Sequence, residues 1–264
     1  PDAVAFIRRE NPAFTKENLL HLYKILSRDC LDEEDKLKDG MYYRHEGVSV
    51  GDFEGAPTEK VEACMDSLFA FVNDPENVKK YSILLPQICH YYILYVHPYF
   101  DYNGRTARMV SFWISVLFEI NAAPLFMSEA INDNKNDYYK AIINTRISRN
   151  DMTYFLGYIL DMAIKYSLLY KNLEQIQQKL SETGDSLTST EFGYIKKILV
   201  HYPEGFFDYK GFIGCNRISM SRTRALNLLN DFVQYGILEK STNKKGLPVF
   251  KINQNIITYK TKDH

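Results

Sequence analysis

From Leu84 to Val96 the chain is almost continuously apolar, running through Tyr91, Tyr92, Ile93, Leu94 and Tyr95, with Pro86 near the start. Proline is tolerated in the first turn of a helix, and a helix apolar on every side belongs at the centre of a bundle. A second segment, Arg105 to Ile120, carries Met109, Phe112, Trp113, Val116, Leu117 and Ile120 at helical spacing. Two such helices so close in sequence require a helical bundle around them, and they bracket a polar break, His97 to Asn103, that has no packing reason to be there.

The flanks agree with a bundle. Thr15 reads as a cap for a helix reaching about Ser27, with Leu19, Leu22, Tyr23 and Leu26 on its apolar side. Pro57 and Thr58 open another, with Val61, Met65, Leu68, Phe69 and Val72 on one face. Asn136 to Ile147 and Asp151 to Tyr170 give two more, the latter continued by Asn172 to Leu180 after a kink or turn. The exception is Gly40 to Gly55, where Tyr42, Tyr43, Val48, Val50 and Phe53 alternate with glycines in the manner of a short hairpin.

Ser181 to Ser189, a run of Ser, Thr, Gly and Asp, reads as a linker. Beyond it come helices over Glu191 to Val200, Ile213 to Asn216 and Ser221 to Tyr235. Strands follow over Ile237 to Glu239 and Val249 to Ile252, joined by a basic turn from Thr242 to Gly246. Three helices followed by a hairpin resemble a winged helix in layout. The expectation is an all-α domain over residues 1–180, decorated by one hairpin, and a winged-helix-like domain over residues 188–264. A length of 264 residues suits two domains.

Composition narrows the function. With 32 basic and 33 acidic side chains, formal charge −1, nothing global draws the molecule to nucleic acid or an anionic membrane. No window is apolar over about 18 residues and no signal peptide opens the chain, so no membrane is expected as a partner and a cytoplasmic location follows. Cys30, Cys64, Cys89 and Cys215 are too scattered for a zinc site or a disulfide framework and are expected reduced and mostly buried.

The polar break is where chemistry concentrates: His97, Pro98, Tyr99, Phe100, Asp101, Tyr102, Asn103, Gly104, Arg105, Thr106, Ala107, Arg108. The start of a helix presents unpaired N–H groups to an anion, so Asn103-Gly104 leading into Arg105 makes a phosphate cradle. Arg105 and Arg108, three apart on one helical face, can add forked donors to the same polyphosphate. Asp101 is a suitable magnesium ligand, and His97 has an imidazole suited to taking a proton from a hydroxyl near neutral pH. Singly, a histidine between helices or an Asn-Gly turn is more often structural; five such groups interrupting two apolar helices are not.

In its run from His97 through Asp101, Asn103, Gly104 and Arg105 to Arg108, the segment resembles the signature HxFx(D/E)GNGRxxR of the Fic family. That resemblance implies a helical Fic fold over about Thr15 to Tyr170, with ATP and Mg2+ as donor and cofactor, and transfer of AMP to a Ser, Thr or Tyr hydroxyl of a protein substrate. It implies His97 as base, Asp101 as metal ligand, Asn103, Gly104 and Arg105 as binders of the α and β phosphates, and Arg108 as the contact to the terminal phosphate. Tyr99 stands where the family has Phe. Tyr102, within the same nucleotide-binding loop, stands where it has Gly, which permits positive φ or close approach of a ligand. Tyr43, Arg44, Val48, Ser49 and Val50 resemble the family's flap, which clamps a target by strand addition, and Asn136 to Tyr139 a helix lining the nucleotide pocket.

Between Lys210 and Lys251 eight basic residues face two acidic ones. A basic third helix and wing suit DNA phosphates; a solvated face that packs or binds protein accounts for the same charges and is somewhat favoured. The rival to an AMP transferase is therefore a regulator or interaction module with an inactive Fic domain. An exposed flap edge is also a surface where a second copy can pair. Many Fic enzymes are restrained by a glutamate in a [S/T]xxxE[G/N] helix; the pattern does not occur in these residues, and the expectation is an inhibitory element upstream of Pro1.

Overall fold

The computed structural model describes residues 2–51, 53–120 and 127–257, and leaves the side chains of Val50 and Met127 undescribed. Residues 258–264 of the expected second domain thus lie outside the described residues. Two compact units divide the chain, Pro1–Ala163 and Ile164–His264.

The first unit begins earlier in helix than the sequence suggested. Helix α1 (Asp2–Ala5) runs into a π-helical turn over Phe6–Glu10, ended by Asn11 in the left-handed region. Too short to show a period, this stretch is held by burial: Phe6 and Ile7 are in the core, and Phe6 meets the edge of Trp113. Next come α2 (Lys16–Ser27), β1 (Ser49–Val50), β2 (Phe53–Glu54), α3 (Thr58–Asn73) and α4 (Pro75–Tyr81). Thr15 caps α2 by accepting from the Asn18 N–H, and Asp74, followed by Pro75, caps α4.

Helices α5 (Leu85–Val96) and α6 (Asn103–Leu117) form the tightest helix pair, as their apolar surfaces require. α6 starts two residues before the expected Arg105, so the Asn-Gly pair belongs to its first turn. Trp113 anchors the N-terminal end: its indole N–H donates to Pro12 O at 2.9 Å, and its ring meets Phe14 edge-on at 5.1 Å. Helices α7 (Met127–Asp133) and α8 (Lys135–Ile147) follow, then α9 (Thr153–Thr183).

α9 is one continuous helix of 31 residues, without the expected break at Lys171. The boundary between units falls inside it and not in the polar stretch after it. Its second half repeats Leu169, Leu173, Ile176 and Leu180 as buried positions, a helical stripe that belongs to the second unit's core.

The second unit continues with α10 (Ser189–His201), α11 (Tyr209–Asn216), α12 (Arg222–Gln234) and antiparallel strands β3 (Leu238–Thr242) and β4 (Pro248–Ile252). Thr188 and Glu191 form a reciprocal capping box at α10, while Asp208 and Ser221 cap α11 and α12. Phe207 pairs with Phe250 beside the hairpin, over a core of Phe212, Leu229, Phe232 and Ile252. The order of elements is the one expected, with each strand longer.

The fold is thus all-helical in its first unit apart from one small hairpin. Among the described residues no helix is long and apolar enough to cross a membrane. All four cysteines are free, but of the expected mostly buried set only Cys89 is buried: Cys64 and Cys215 are half-buried, and Cys30, past the end of α2, is exposed.

The aromatic anchor gives a direct test. Phe14 is fully buried between Phe69 and Trp113, so Phe14→Ala is expected to cost about 3–5 kcal/mol. Urea unfolding followed by the fluorescence of Trp113, the only tryptophan in the sequence, measures it.

Candidate active site

α5 ends because Pro98 cannot continue it and His97 turns left-handed, at φ 55°, with its N–H donating to Ile93 O at 2.9 Å. The last carbonyls of a helix need donors. Here two arginines supply them. Arg146 of α8 donates to Leu94 O at 3.0 Å. Arg44 donates from Nε to His97 O at 2.7 Å and from Nη2 to Val96 O at 3.5 Å, while its backbone N–H donates to Pro98 O at 2.9 Å.

Arg44 also donates to Glu46 O at 2.6 Å, to Thr58 Oγ1 at 3.1 Å, and to Ala56 O. Its guanidinium has no carboxylate partner among the described residues; carbonyl dipoles at a helix C-terminus hold the charge, and burial pulls its pKa down. Tyr43 is buried as well, near Tyr99. These two residues were expected to touch a docked target; both instead face inward, because they fasten the hairpin to the end of α5.

The hairpin itself is two residues per strand, with Ser49 opposite Glu54 and Val50 opposite Phe53. Gly51 takes the positive φ (60°) that the tight turn needs. Val48 is half-buried and Ser49 exposed, so the parts of the expected flap still open to a partner are the backbone edge from Val48 to Val50. Gly55 is required by close approach: a Cβ there would lie 2.9 Å from Arg44 Nη2, 3.0 Å from Val48 Cγ1 and 3.1 Å from His97 Cβ.

Between the helices, Asn103 is buried and spends its side chain on the loop, accepting from the Tyr99 N–H at 3.0 Å and donating to Tyr99 O at 2.8 Å. Its amide was expected at a phosphate; only its backbone N–H is left for that. Tyr99 stacks on Tyr23 at 3.7 Å, and its hydroxyl finds no protein partner among the described residues. Tyr102 sits at φ 65°, so the place where the signature has Gly does adopt positive φ, and the tyrosine bears the strain.

No side chain caps α6, as none caps α3, α5 or α8, whereas side chains cap α2, α4, α10, α11 and α12. The first of its N–H groups with a partner is that of Thr106, which donates to Tyr102 O; those of Asn103, Gly104 and Arg105 have none among the described residues. Asp101 is exposed, one oxygen accepting the Tyr102 N–H at 2.6 Å.

The two arginines do not converge as their spacing suggested. Arg105 is exposed and its guanidinium lies over the Tyr102 ring, 4.3 Å from the centroid. Arg108 is half-buried, with Nη1 3.7 Å from where a Cβ on Gly104 would lie; burial, and then the charge of Arg108, push the imidazole of His90 down to about 3, and His90 Nε2 is 3.0 Å from the Tyr138 hydroxyl. Tyr138, placed by resemblance in a pocket lining, is core, and Tyr139 is exposed. Among the described residues neither arginine has a carboxylate within ion-pair distance.

His97 is held neutral: burial, with the charges of Arg44 and Arg146 against it, lowers its pKa from 6.5 to about 4 despite the opposing pull of the Leu94 backbone and Asp101. Its Nδ1 is buried without a partner, so the ring is set by packing against Phe53, 5.7 Å away. Phe53 in turn lies under Arg146. The sequence placed Phe53 and Gly55 in the hairpin but not at the site, and it did not single out Arg146, whose signal is a basic residue in the last turn of α8, favourable to a helix dipole.

Comparison with known proteins agrees with the fold. Residues 13–115 match the Fic/DOC family. The proteins named protein adenylyltransferase Fic in Drosophila persimilis and in Drosophila pseudoobscura pseudoobscura are each 21% identical over 194 residues, 70% of this chain and 36% of theirs. The chain therefore spans about a third of the length of these curated relatives. A crystal structure of a Fic family protein from Desulfovibrio desulfuricans G20 superposes with a TM-score of 0.50 at 20% identity, covering 99% of this chain and 74% of that one. Residues 13–115 thus form a segment of the Fic/DOC type, and beyond it the likeness is one of fold.

Two measurements test the site. Arg44→Met strands buried carbonyls of Val96, His97 and Ala56, so a loss above about 2 kcal/mol in urea unfolding is expected. For His97 the folded pKa lies below the unfolded one, so the unfolded state binds more protons in between. Stability is full above about pH 6.5 and falls as pH drops toward 4; NMR titration should find this imidazole still neutral at pH 5.5.

Proposed function

We propose that this protein is an adenylyltransferase that moves AMP from ATP to a Ser, Thr or Tyr hydroxyl of a protein. The observation that carries the reading is the uncapped start of α6, whose free N–H groups at Asn103, Gly104 and Arg105 form an anion site beside a neutral histidine.

His97 accepts the proton of the target hydroxyl. The hydroxyl oxygen then forms its bond to the α-phosphorus, the bond from that phosphorus to the bridging oxygen breaks, and pyrophosphate leaves. The N–H groups of the α6 start neutralise the charge gathering on the α-phosphate. In this reading Arg108, which has no carboxylate partner among the described residues and whose Nη1 lies beside Gly104, binds the outer phosphates, and Arg105 reaches them by leaving the Tyr102 ring.

Among the described residues no group of three or more His, Cys, Asp or Glu side chains could hold a metal ion. One exposed carboxylate, Asp101, fits Mg2+, which is held by one or two carboxylates together with substrate phosphates. Bound there, the ion would supply charge neutralisation on the leaving phosphates. The target is held by strand pairing to the Val48–Val50 edge.

A second reading has its own observation. Tyr102 at positive φ, with Arg105 stacked on it, narrows the mouth of the cradle, as would suit an inactive Fic domain in a protein that regulates through its C-terminal unit.

Incubation with α-labelled and with γ-labelled ATP separates the possibilities. Label from the α position should enter protein, fall at least about 100-fold in His97→Ala, and rise in Tyr102→Gly. Label from the γ position, or α label undiminished in His97→Ala, would overturn the proposal. α label that appears only in Tyr102→Gly would establish the second reading.

A further inference from the structure

The second unit carries a surface that the chemistry above leaves unused. Between residues 189 and 257 it has ten basic and five acidic side chains, a net of +5 in a chain whose total is −1. Where those charges sit is informative.

Helix α12 follows α11 through a short turn, with Arg217 left-handed at φ 53° and Ser221 accepting from the Arg224 N–H at 3.3 Å. It buries Ala225, Leu229 and Phe232. The opposite stripe is Thr223, Asn227, Asn230 and Gln234, spaced i, i+4, i+7 and i+11, with Arg222 and Arg224 exposed at its N-terminal end. A helix face that is merely solvated is usually built of Lys and Glu in pairs. This one is built of amides and a hydroxyl, side chains that both donate and accept and so match the edges of bases, Asn and Gln above all those of adenine. Asp231 is the only acid in the helix.

The β3–β4 turn is a second element of the same surface. Asn243 Oδ1 accepts from the N–H of Lys245 at 2.9 Å and of Leu247 at 3.0 Å, and Gly246 takes φ 72°, so the tip is fixed and presents Lys244 and Lys245 exposed. Lys240 Nζ donates to Asn230 Oδ1 at 2.9 Å and ties this hairpin to α12.

We propose that this unit is a winged-helix module that binds duplex DNA, with the Thr223–Gln234 stripe of α12 in the major groove and Lys244 and Lys245 on the phosphate backbone. Two contacts of different kinds then act together: the lysines and arginines give affinity without sequence information, and the amide stripe gives the sequence preference. None of this depends on residues 97–108, so the surface can be tested whatever the first unit transfers.

The test uses the full chain. Duplexes of about three helical turns are selected from a random pool, and binding of the selected duplex and a scrambled one is followed by fluorescence anisotropy as salt is raised. Binding of the selected duplex should weaken steeply with salt. The double variant Lys244→Ala, Lys245→Ala should weaken both duplexes alike and lower the salt slope by about 2. The double variant Asn227→Ala, Gln234→Ala should leave the slope unchanged and reduce the preference for the selected duplex by at least about tenfold. These positions are exposed, and circular dichroism of each variant confirms folding. No enrichment of any sequence, no binding at low salt, or equal binding by the lysine variant overturns the proposal.

Discussion

The site depends on how the end of α5 is tied off. A helix that stops inside a protein leaves its last carbonyls without donors, and leaving them bare costs of the order of 1–3 kcal/mol each. Arg44 answers this at Val96 and His97, and Arg146 at Leu94. A buried cation without a carboxylate is ordinarily costly. At a helix C-terminus it is not isolated, because the converging carbonyl dipoles carry the opposite partial charge. The hairpin, the histidine and α8 therefore meet at one electrostatic knot. The same positive charges, with burial, keep His97 neutral and available as a proton acceptor.

The start of α6 is the complementary case. Five helices spend a side chain on capping their first N–H groups; α6, like α3, α5 and α8, does not. Asn103, the residue at hand to do so, instead braces the loop through Tyr99. The loop is thereby rigid while its donors stay open, which is the condition for binding an anion without paying to order the backbone first. Tyr102 adds strain at φ 65° that a glycine would not, and some of it is offset by the stacking of Arg105 on its ring.

Much of this was legible in the sequence where a residue's role depends on near neighbours. The apolar run before His97, the break, and the periodic helix after it gave the bundle and located the loop; the signature residues then follow from one local stretch. What escaped depends on distance in the chain. Arg44 looked like part of a target-binding surface because nothing near it in sequence shows that Val96 and His97 lie beside it. Arg146 carries no motif at all. Phe6 and Ile7 form a helix only because Trp113, over a hundred residues on, gives them something to bury against. The different settings of Arg105 and Arg108 were hidden for another reason: i and i+3 fixes a shared face but not whether a side chain folds back onto Tyr102, as Arg105 does, or lies beside Gly104, as Arg108 does.

Gly55 shows how close the coupling between the hairpin and His97 is. A Cβ at this position would press on Arg44, Val48 and His97 at once, so the end of the hairpin lies against both the anchor and the imidazole. Phe53, the inner residue of β2, packs on the same ring. His97 has no hydrogen bond at Nδ1 to orient it, so its orientation comes from these contacts. A peptide that pairs with the open edge of β1 would therefore be registered against the same rigid element that aims the imidazole. The distance from the clamped chain to the base would be set by strand geometry, about 3.3 Å per residue, more than by the identity of the target's side chains. Recognition of this kind selects where along a segment a hydroxyl must fall, and leaves the flanking residues largely free to vary.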